Sequence, residues 1–420
     1  MIFRRMNIPP IKKPTNSFYI GISLICFAAL LFIVVKFINS RKRQVPVIFS
    51  PKEVLENTWN TYKVDYLEAG SNRTLDKQQN NLTTSEGQSY TMLRAVWMDD
   101  KATFDASLKW TQDILKHKND NLHAWVFGEQ SPGNYTILTS KGGQNSATDA
   151  ETDMAMSLLF AYGRWGDQSY MDQAQALIAD IWKNEVVVIN GKPVLVANDV
   201  EHLSPDKVLV DPSYFAPYEY RMFAAVDSKH DWQGVIDSSY DILTQSIASP
   251  LDKNTSANIP PDWVQVNRQT GAVTAATAAG LTTNYGYDAL RVPWRLALDW
   301  QWYGDPRDKQ LLDSLNFFSK QWTAAKSLSV NYAHDGTLAG DETEVPALYG
   351  GVIGYFIVSD PKNAAEVYNQ KLAILYNPDT NAWRTPLGYY DDNWTWFGIG
   401  LYQNLLPNLV APASSTPLTN

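Results

Sequence analysis

Three short stretches place carboxylates where polar turns give way to apolar helices. They are Thr83-Thr84-Ser85-Glu86-Gly87-Gln88-Ser89-Tyr90, Ser146-Ala147-Thr148-Asp149-Ala150-Glu151-Thr152-Asp153, and Tyr285-Gly286-Tyr287-Asp288-Ala289-Leu290-Arg291-Val292-Pro293-Trp294-Arg295. Carboxylates gathered in one cleft can divide acid–base work. One, kept protonated by apolar surroundings, gives up a proton, while another, kept ionised, activates water. Cleavage of a glycosidic bond needs that division. Glu86 suits the acid: apolar neighbours such as Tyr90 would raise its pKa, and Gly87 would let a sugar approach the backbone. Asp288 suits the base, with Arg291 three residues on and Arg295 seven on to hold it ionised and oriented. Asp149 and Asp153, four apart, share a helix face, from which one would grip the sugar at the cleavage point.

Each stretch also has a purely structural reading. Thr83 with Glu86, and Thr148 with Glu151, have capping-box spacing, in which the acid only satisfies backbone donors at the start of a helix. Asp288 could be an ordinary N-cap with salt bridges along its helix. Company favours the chemical reading, since three acid-bearing helix starts in similar settings can converge on one cleft.

The elements that must position these residues are helical. Apolar periodicity places helices at 51–66, 86–98, 104–116, 149–164, 170–183, 212–226, 232–248, 286–303, 307–322, 343–358, 362–375 and 391–406. Every second one, from 86–98 onward, is richer in small and apolar residues, as a helix hidden on all sides must be, and its partner is amphipathic. The expected fold is therefore all-α, an (α/α)6 barrel of six inner and six outer helices. One local exception is Val186 to Val196, where Asn190-Gly191 between apolar runs signals a type I′ hairpin. Residues 250–285, rich in Pro, Asn, Thr, Ala and Gly, read as one long loop.

The ends differ from the body. Phe18 to Val35 is an uncharged run about 27 Å long as a helix, enough to span a bilayer core. The expected organisation is a basic segment at 1–17, a transmembrane anchor at 18–38, a linker at 39–49, a catalytic domain at 50–406 and a disordered tail at 407–420. Asn39-Ser40-Arg41-Lys42-Arg43 is a poor cleavage site, so the anchor is expected to stay. Basic residues flank it almost evenly, and charge does not fix its orientation.

Composition excludes several classes. The first 43 residues hold eight bases and no acid, leaving 27 bases against 44 acids in the remainder, a net charge of −17 with histidine neutral. Such a surface repels phosphate backbones and argues against nucleic acid as a partner. The single cysteine, Cys26, lies in the apolar run, and five scattered histidines show no ligand spacing. No metal and no other cofactor are expected.

Four ordered blocks carry a resemblance: Ser85 to Leu93, Ala147 to Asp153, Asp211-Pro212-Ser213-Tyr214-Phe215-Ala216-Pro217, and Tyr285 to Arg295. Together they resemble the signature blocks of glycoside hydrolase family 8. The resemblance covers about 50–406 and implies an inverting endo-acting β-glycanase on an (α/α)6 barrel. It implies Glu86 as the acid, Asp288 as the base and Asp149 as the residue holding the −1 sugar. Trp125, Tyr214 and Tyr390 resemble aromatic subsite positions, with Asp153 and Arg291 as further substrate-side residues. Glu151 stands where the family more often has Asp, and Ser89 where Gly is common. The expected partners are a β-linked polysaccharide, the membrane and the machinery of polysaccharide synthesis. The expected state is a monomer with its catalytic domain outside the cell. The rival reading is a catalytically idle glycan-binding protein on the same scaffold, though binding alone needs no acid–base pair.

Overall fold

Small and apolar side chains on every face of a helix leave it nowhere to go but the interior, and this alternation organises the chain. The computed structural model describes residues 50–410. The expected basic segment, anchor and linker at 1–49 lie outside the described residues, as does 411–420. Among the described residues no helix is long and apolar enough to cross a membrane.

The helices are, in order, α1 (Pro51–Tyr66), α2 (Ser85–Trp97), α3 (Lys101–Ile114), α4 (Thr148–Trp165), α5 (Gln168–Glu185), α6 (Pro217–Val226) and α7 (Trp232–Ala248). They continue as α8 (Arg291–Tyr303), α9 (Pro306–Ser314), α10 (Phe317–Ala325), α11 (Pro346–Ser359), α12 (Pro361–Val367) and α13 (Tyr389–Tyr402). Helices α2, α4, α6, α8, α11 and α13 pack each on the next. The ring closes where Tyr90 meets Trp394 and Phe397 edge-on, and Trp97 meets Trp396. Outside it, α3 lies on α2, α5 on α4, α7 on α6, α9 on α8, α12 on α11 and α1 on α13. In the inner helix α4 every residue from Thr148 to Ala161 is buried. Each large apolar side chain so buried contributes roughly 1.5–3 kcal/mol. Helix α11 packs close against its neighbours: a Cβ on Gly350 would meet Trp394 O at 2.0 Å, and one on Gly351 would meet Leu290 O at 2.0 Å.

Some expected elements take other forms. The helix expected at 307–322 is broken at Leu315–Asn316 into α9 and α10, and the one at 362–375 continues after α12 as a π turn and a 3-10 turn. The structure also holds more strand than a single hairpin. Strands β1 (Thr83–Thr84), β2 (Val126–Ser131) and β3 (Asn134–Ile137) form one antiparallel sheet. The hairpin β4 (Val186–Ile189) and β5 (Lys192–Leu195) turns at Asn190 and Gly191, with φ of 50° and 75°, as a type I′ turn requires. The segment 250–285 is not one loop: β7 (Val264–Asn267) and β8 (Val273–Ala275) join β6 (Lys207–Val210) in a second three-stranded sheet. The chain also stays on the body past 406, where Trp97 Nε1 donates to Pro407 O at 3.1 Å and Leu409 and Val410 pack against the core.

Candidate active site

Arg291, the first residue of α8, is 1% exposed, and all five of its N–H bonds are directed at named acceptors. Nη1 donates to Glu86 Oε2 at 2.9 Å and Asp149 Oδ2 at 3.1 Å. Nη2 donates to Asp288 Oδ1 at 2.6 Å and Asp211 Oδ2 at 3.2 Å, and Nε to Ser213 Oγ at 2.9 Å. One guanidinium thus gathers four carboxylates from four parts of the chain. The rigid fork that makes arginine suited to this has no equivalent in lysine.

Each carboxylate arrives by a different local device. Thr84 caps α2 by accepting from Gly87 N at 3.0 Å, while Thr83 turns away and donates to Thr74 O at 2.6 Å. The Thr83–Glu86 capping box expected as the alternative therefore does not form, which frees Glu86 for Arg291. Thr148 likewise donates to Val196 O, and Glu151 is fully buried against His123, accepting from its backbone N at 2.7 Å. That second capping box is also absent. Asp288 lies not within a helix but in the turn before α8, and its Oδ2 accepts from Trp263 Nε1 at 3.1 Å. Asp211 stands just past the end of β6.

The electrostatics sort these acids. One cation cannot balance four close carboxylates, and burial in the cleft disfavours charge. Burial pushes Glu86 up to about 7; Arg291 opposes this, while Asp149 and Asp288 add to it. Burial likewise raises Asp149, and it raises Asp211 well above the usual carboxylate range. Glu86 and Asp288 stay partly open to solvent, their side chains 22% and 33% exposed. Tyr389 donates to Glu86 Oε1 at 3.3 Å. Its hydroxyl would lie 3.0 Å from a Cβ on residue 87, so Gly87 makes room for Tyr389 where the sequence suggested room for a sugar.

The other expected residues divide. Tyr214 lies under Arg291, whose guanidinium carbon is 5.3 Å from the ring centre. Tyr390 is half-buried and donates to Tyr287 O at 2.6 Å, its ring meeting that of Tyr287 at 6.0 Å. Trp125 is half-buried at the head of α2, its carbonyl accepting from Ser85 N. Asp153 departs from the expectation of a substrate contact: it is 3% exposed, one turn deeper, and holds Arg295 through two bonds of 3.1 and 3.2 Å. Arg295 is thereby engaged away from Asp288, whose carboxylate is held by Arg291 and Trp263. The sequence reading did not assign Asp211, Ser213, Trp263 or Tyr389. Asp211 and Ser213 stood in a recognised block, and the spacing Asp-Pro-Ser-Tyr was the signal available for them.

Glycosyl hydrolases family 8 matches residues 40–374. The chain is 29% identical to Endoglucanase A of Acetivibrio thermocellus over 327 residues, 75% of this chain and 62% of that one. It thus spans less than two thirds of that relative's length. The structure is similar to an endo-1,4-D-glucanase from Vibrio fischeri, with a TM-score of 0.68, 25% identity, and coverage of 83% of this chain and 94% of that one. A beta-1,3-1,4-glucanase from Paenibacillus shares the fold at a TM-score of 0.68 and 23% identity, over 85% of this chain and 94% of that one.

Proposed function

The chain belongs to glycosyl hydrolase family 8, and on that footing we propose that it is an inverting endo-glycosidase that hydrolyses a β-linked glucan-type polysaccharide. The observation that carries this reading is the Arg291 fork, which gathers a recessed Glu86 and a partly exposed Asp288 into one cluster. Glu86, pushed up to about 7, holds a proton near neutral pH and delivers it to the glycosidic oxygen as the bond to the anomeric carbon breaks. Asp288, held by Arg291 and Trp263, takes a proton from the water that attacks that carbon from the other side. Glu86 ends ionised and Asp288 protonated, and exchange with solvent resets both. Asp149, bound by the same guanidinium nitrogen as Glu86, is the residue that the family resemblance gives to the sugar being cleaved; its side chain is 3% exposed, and Arg291 is what it holds here. Tyr214, Tyr390 and Trp125 offer half-buried rings for neighbouring sugars.

The polymer is assigned by analogy with relatives named endoglucanase and endo-1,4-D-glucanase. We further propose that Phe18 to Val35 anchors the catalytic domain outside the cell, beside the machinery that makes such a polymer. The uncharged length of that run and its basic flanks support a membrane span, and the outward orientation follows from where such a polymer would be. Incubation with β-1,4-glucan, mixed-linkage β-glucan, chitosan and xylan, with Glu86→Gln as blank, tests the activity. Viscosity of one β-glucan should fall before reducing ends accumulate. Binding without release from any polymer would support the idle glycan-binding alternative. For the anchor, protease added to intact cells should remove the domain, and cleavage only after lysis would reverse the orientation.

A further inference from the structure

The turn that carries Asp288 is held from one side by two adjacent residues, Asp262 and Trp263. Asp262 Oδ1 accepts from three backbone N–H groups of that turn, Gly286 at 3.0 Å, Asp288 at 3.2 Å and Ala289 at 2.8 Å. The carboxylate lies so close that a Cβ on Gly286 would meet Asp262 Oδ2 at 2.2 Å, so the glycine of Tyr285-Gly286-Tyr287-Asp288 is required by Asp262. The next residue, Trp263, donates Nε1 to Asp288 Oδ2 at 3.1 Å and packs edge-on against Tyr214 at 6.0 Å. Both residues are fixed by backbone bonds, Asp262 N to Asn284 O at 2.7 Å and Trp263 N to Thr282 O at 3.0 Å. The second sheet explains their placement. Val210 pairs with Val264, so the antiparallel strands β6 and β7 bring Asp211 and the Asp262-Trp263 pair to the same end, next to Asp288.

We infer that Asp262 and Trp263 are positioning residues for Asp288, Asp262 by fixing the backbone of its turn and Trp263 by holding the carboxylate oxygen that Arg291 leaves free. The inference rests on the reading of Asp288 as general base. It explains why a half-exposed carboxylate on a turn can be held as rigidly as one on a helix: Arg291 restrains Oδ1, Trp263 restrains Oδ2, and Asp262 prevents the backbone between them from shifting. Burial and the charge of Asp288 push Asp262 up to about 7, against the backbone donors. Near neutral pH it is therefore partly protonated, and its Oδ1 accepts in either state.

Trp263→Phe keeps a ring against Tyr214 but removes the N–H. An N–H given to a carboxylate favours its charged form, so its loss should move the acidic limb of the kcat/KM profile up by about one pH unit and lower kcat about tenfold. The KM for a soluble β-glucan should stay within about twofold, since nothing that meets the sugar has changed. The other charged groups around Asp288, namely Arg291, Asp211, Asp262, Glu86 and Asp149, are the same in both proteins. In the second arm, Asp262→Asn retains an acceptor for the three N–H groups and should keep most of the kcat that Asp262→Ala loses. Thermal melts establish folding, and either arm decides if one variant does not fold. A Trp263→Phe enzyme with unchanged kcat and acidic limb, or an Asp262→Asn enzyme as impaired as Asp262→Ala, overturns the inference. Asp288→Asn assayed in parallel separates the two failures. Full activity there would remove the base itself, whereas an inactive Asp288→Asn beside an unaffected Trp263→Phe rejects only the clamp.

Discussion

Helix α8 carries two arginine–acid clusters one turn apart, and they do different things. Arg291 gathers Glu86, Asp149, Asp211 and Asp288 at the cleft. Four residues on, Arg295 pairs with Asp153 at 3.1 Å and lies 3.5 Å from Glu219. The deeper cluster is closed, its acids 4% and 0% exposed at the side chain. Burial raises Glu219 well above the usual carboxylate range, with the charge of Asp153 adding to it. A raised pKa by itself would single out Glu219 as readily as Glu86. The upper acid differs in two ways that chemistry needs: it reaches the cleft, and its pKa stops at about 7, where a proton can be both held and given.

The largest expected effect separates the clusters directly. Glu86→Gln and Asp288→Asn should each lower kcat on unactivated polymer by about 10²–10⁴-fold with little change in melting temperature. Glu219→Gln, a change of similar shape at a side chain that is 0% exposed, should leave kcat within about threefold. Comparable losses in all three, measured by reducing-end release, would erase the distinction.

Stability should show the reverse order. Arg295→Met leaves Asp153 and Glu219 buried beside no cation and should cost about 3–5 kcal/mol in denaturant unfolding. The pH limbs of the folded enzyme should stay in place, because the cleft acids keep Arg291.

The pH profile gives a smaller, graded test. Glu86 acts in its protonated form, so activity should fall as pH rises through about 7. The same shift has a sign for folding. A carboxyl raised by burial from 4.5 contributes stability that is fully present below 4.5 and lost as pH rises through about 7. Glu86→Gln should therefore flatten the decline of stability over that window. An alkaline limb at the same pH in a Glu86 variant would assign it to another group.

Trp125→Ala should have the smallest effect, weakening polymer binding by the roughly 0.5–1.5 kcal/mol of one ring contact and appearing in KM more than in kcat. Its indole also donates to Gly142 O at 3.1 Å. A melting temperature that drops sharply while KM holds would make the ring part of the scaffold only.

What the sequence made legible follows from locality. Glu86, Asp149, Asp288 and Arg291 sit in blocks where residue type, spacing and helix start lie within ten residues of one another, and the structure brings these four together. The alternation of apolar and amphipathic helices was legible for the same reason. Spacing failed where a local pattern had a distant competitor. Thr83 and Glu86 have the capping spacing, but Thr74 O takes the Thr83 hydroxyl and Arg291 takes the carboxylate. Asp153 shares a helix face with Asp149, yet the four-residue step also carries it one turn deeper, to Arg295. Asp262 and Trp263 stood in a stretch rich in Pro, Thr and Gly that read as loop. They are placed by pairing of β7 with a strand more than fifty residues earlier, which no local pattern encodes.

The central claim is that water, activated by Asp288, attacks the anomeric carbon while Glu86 protonates the departing oxygen, with Arg291 holding both carboxylates in one fork. Its stereochemical outcome is inversion. Proton NMR of a β-linked glucan, recorded from the first minutes of digestion before mutarotation, reads this directly. The account predicts that the α-anomer appears first and the β-anomer grows in only by mutarotation. A β-anomer formed first would mean retention, and would contradict the assignment of Asp288 as general base.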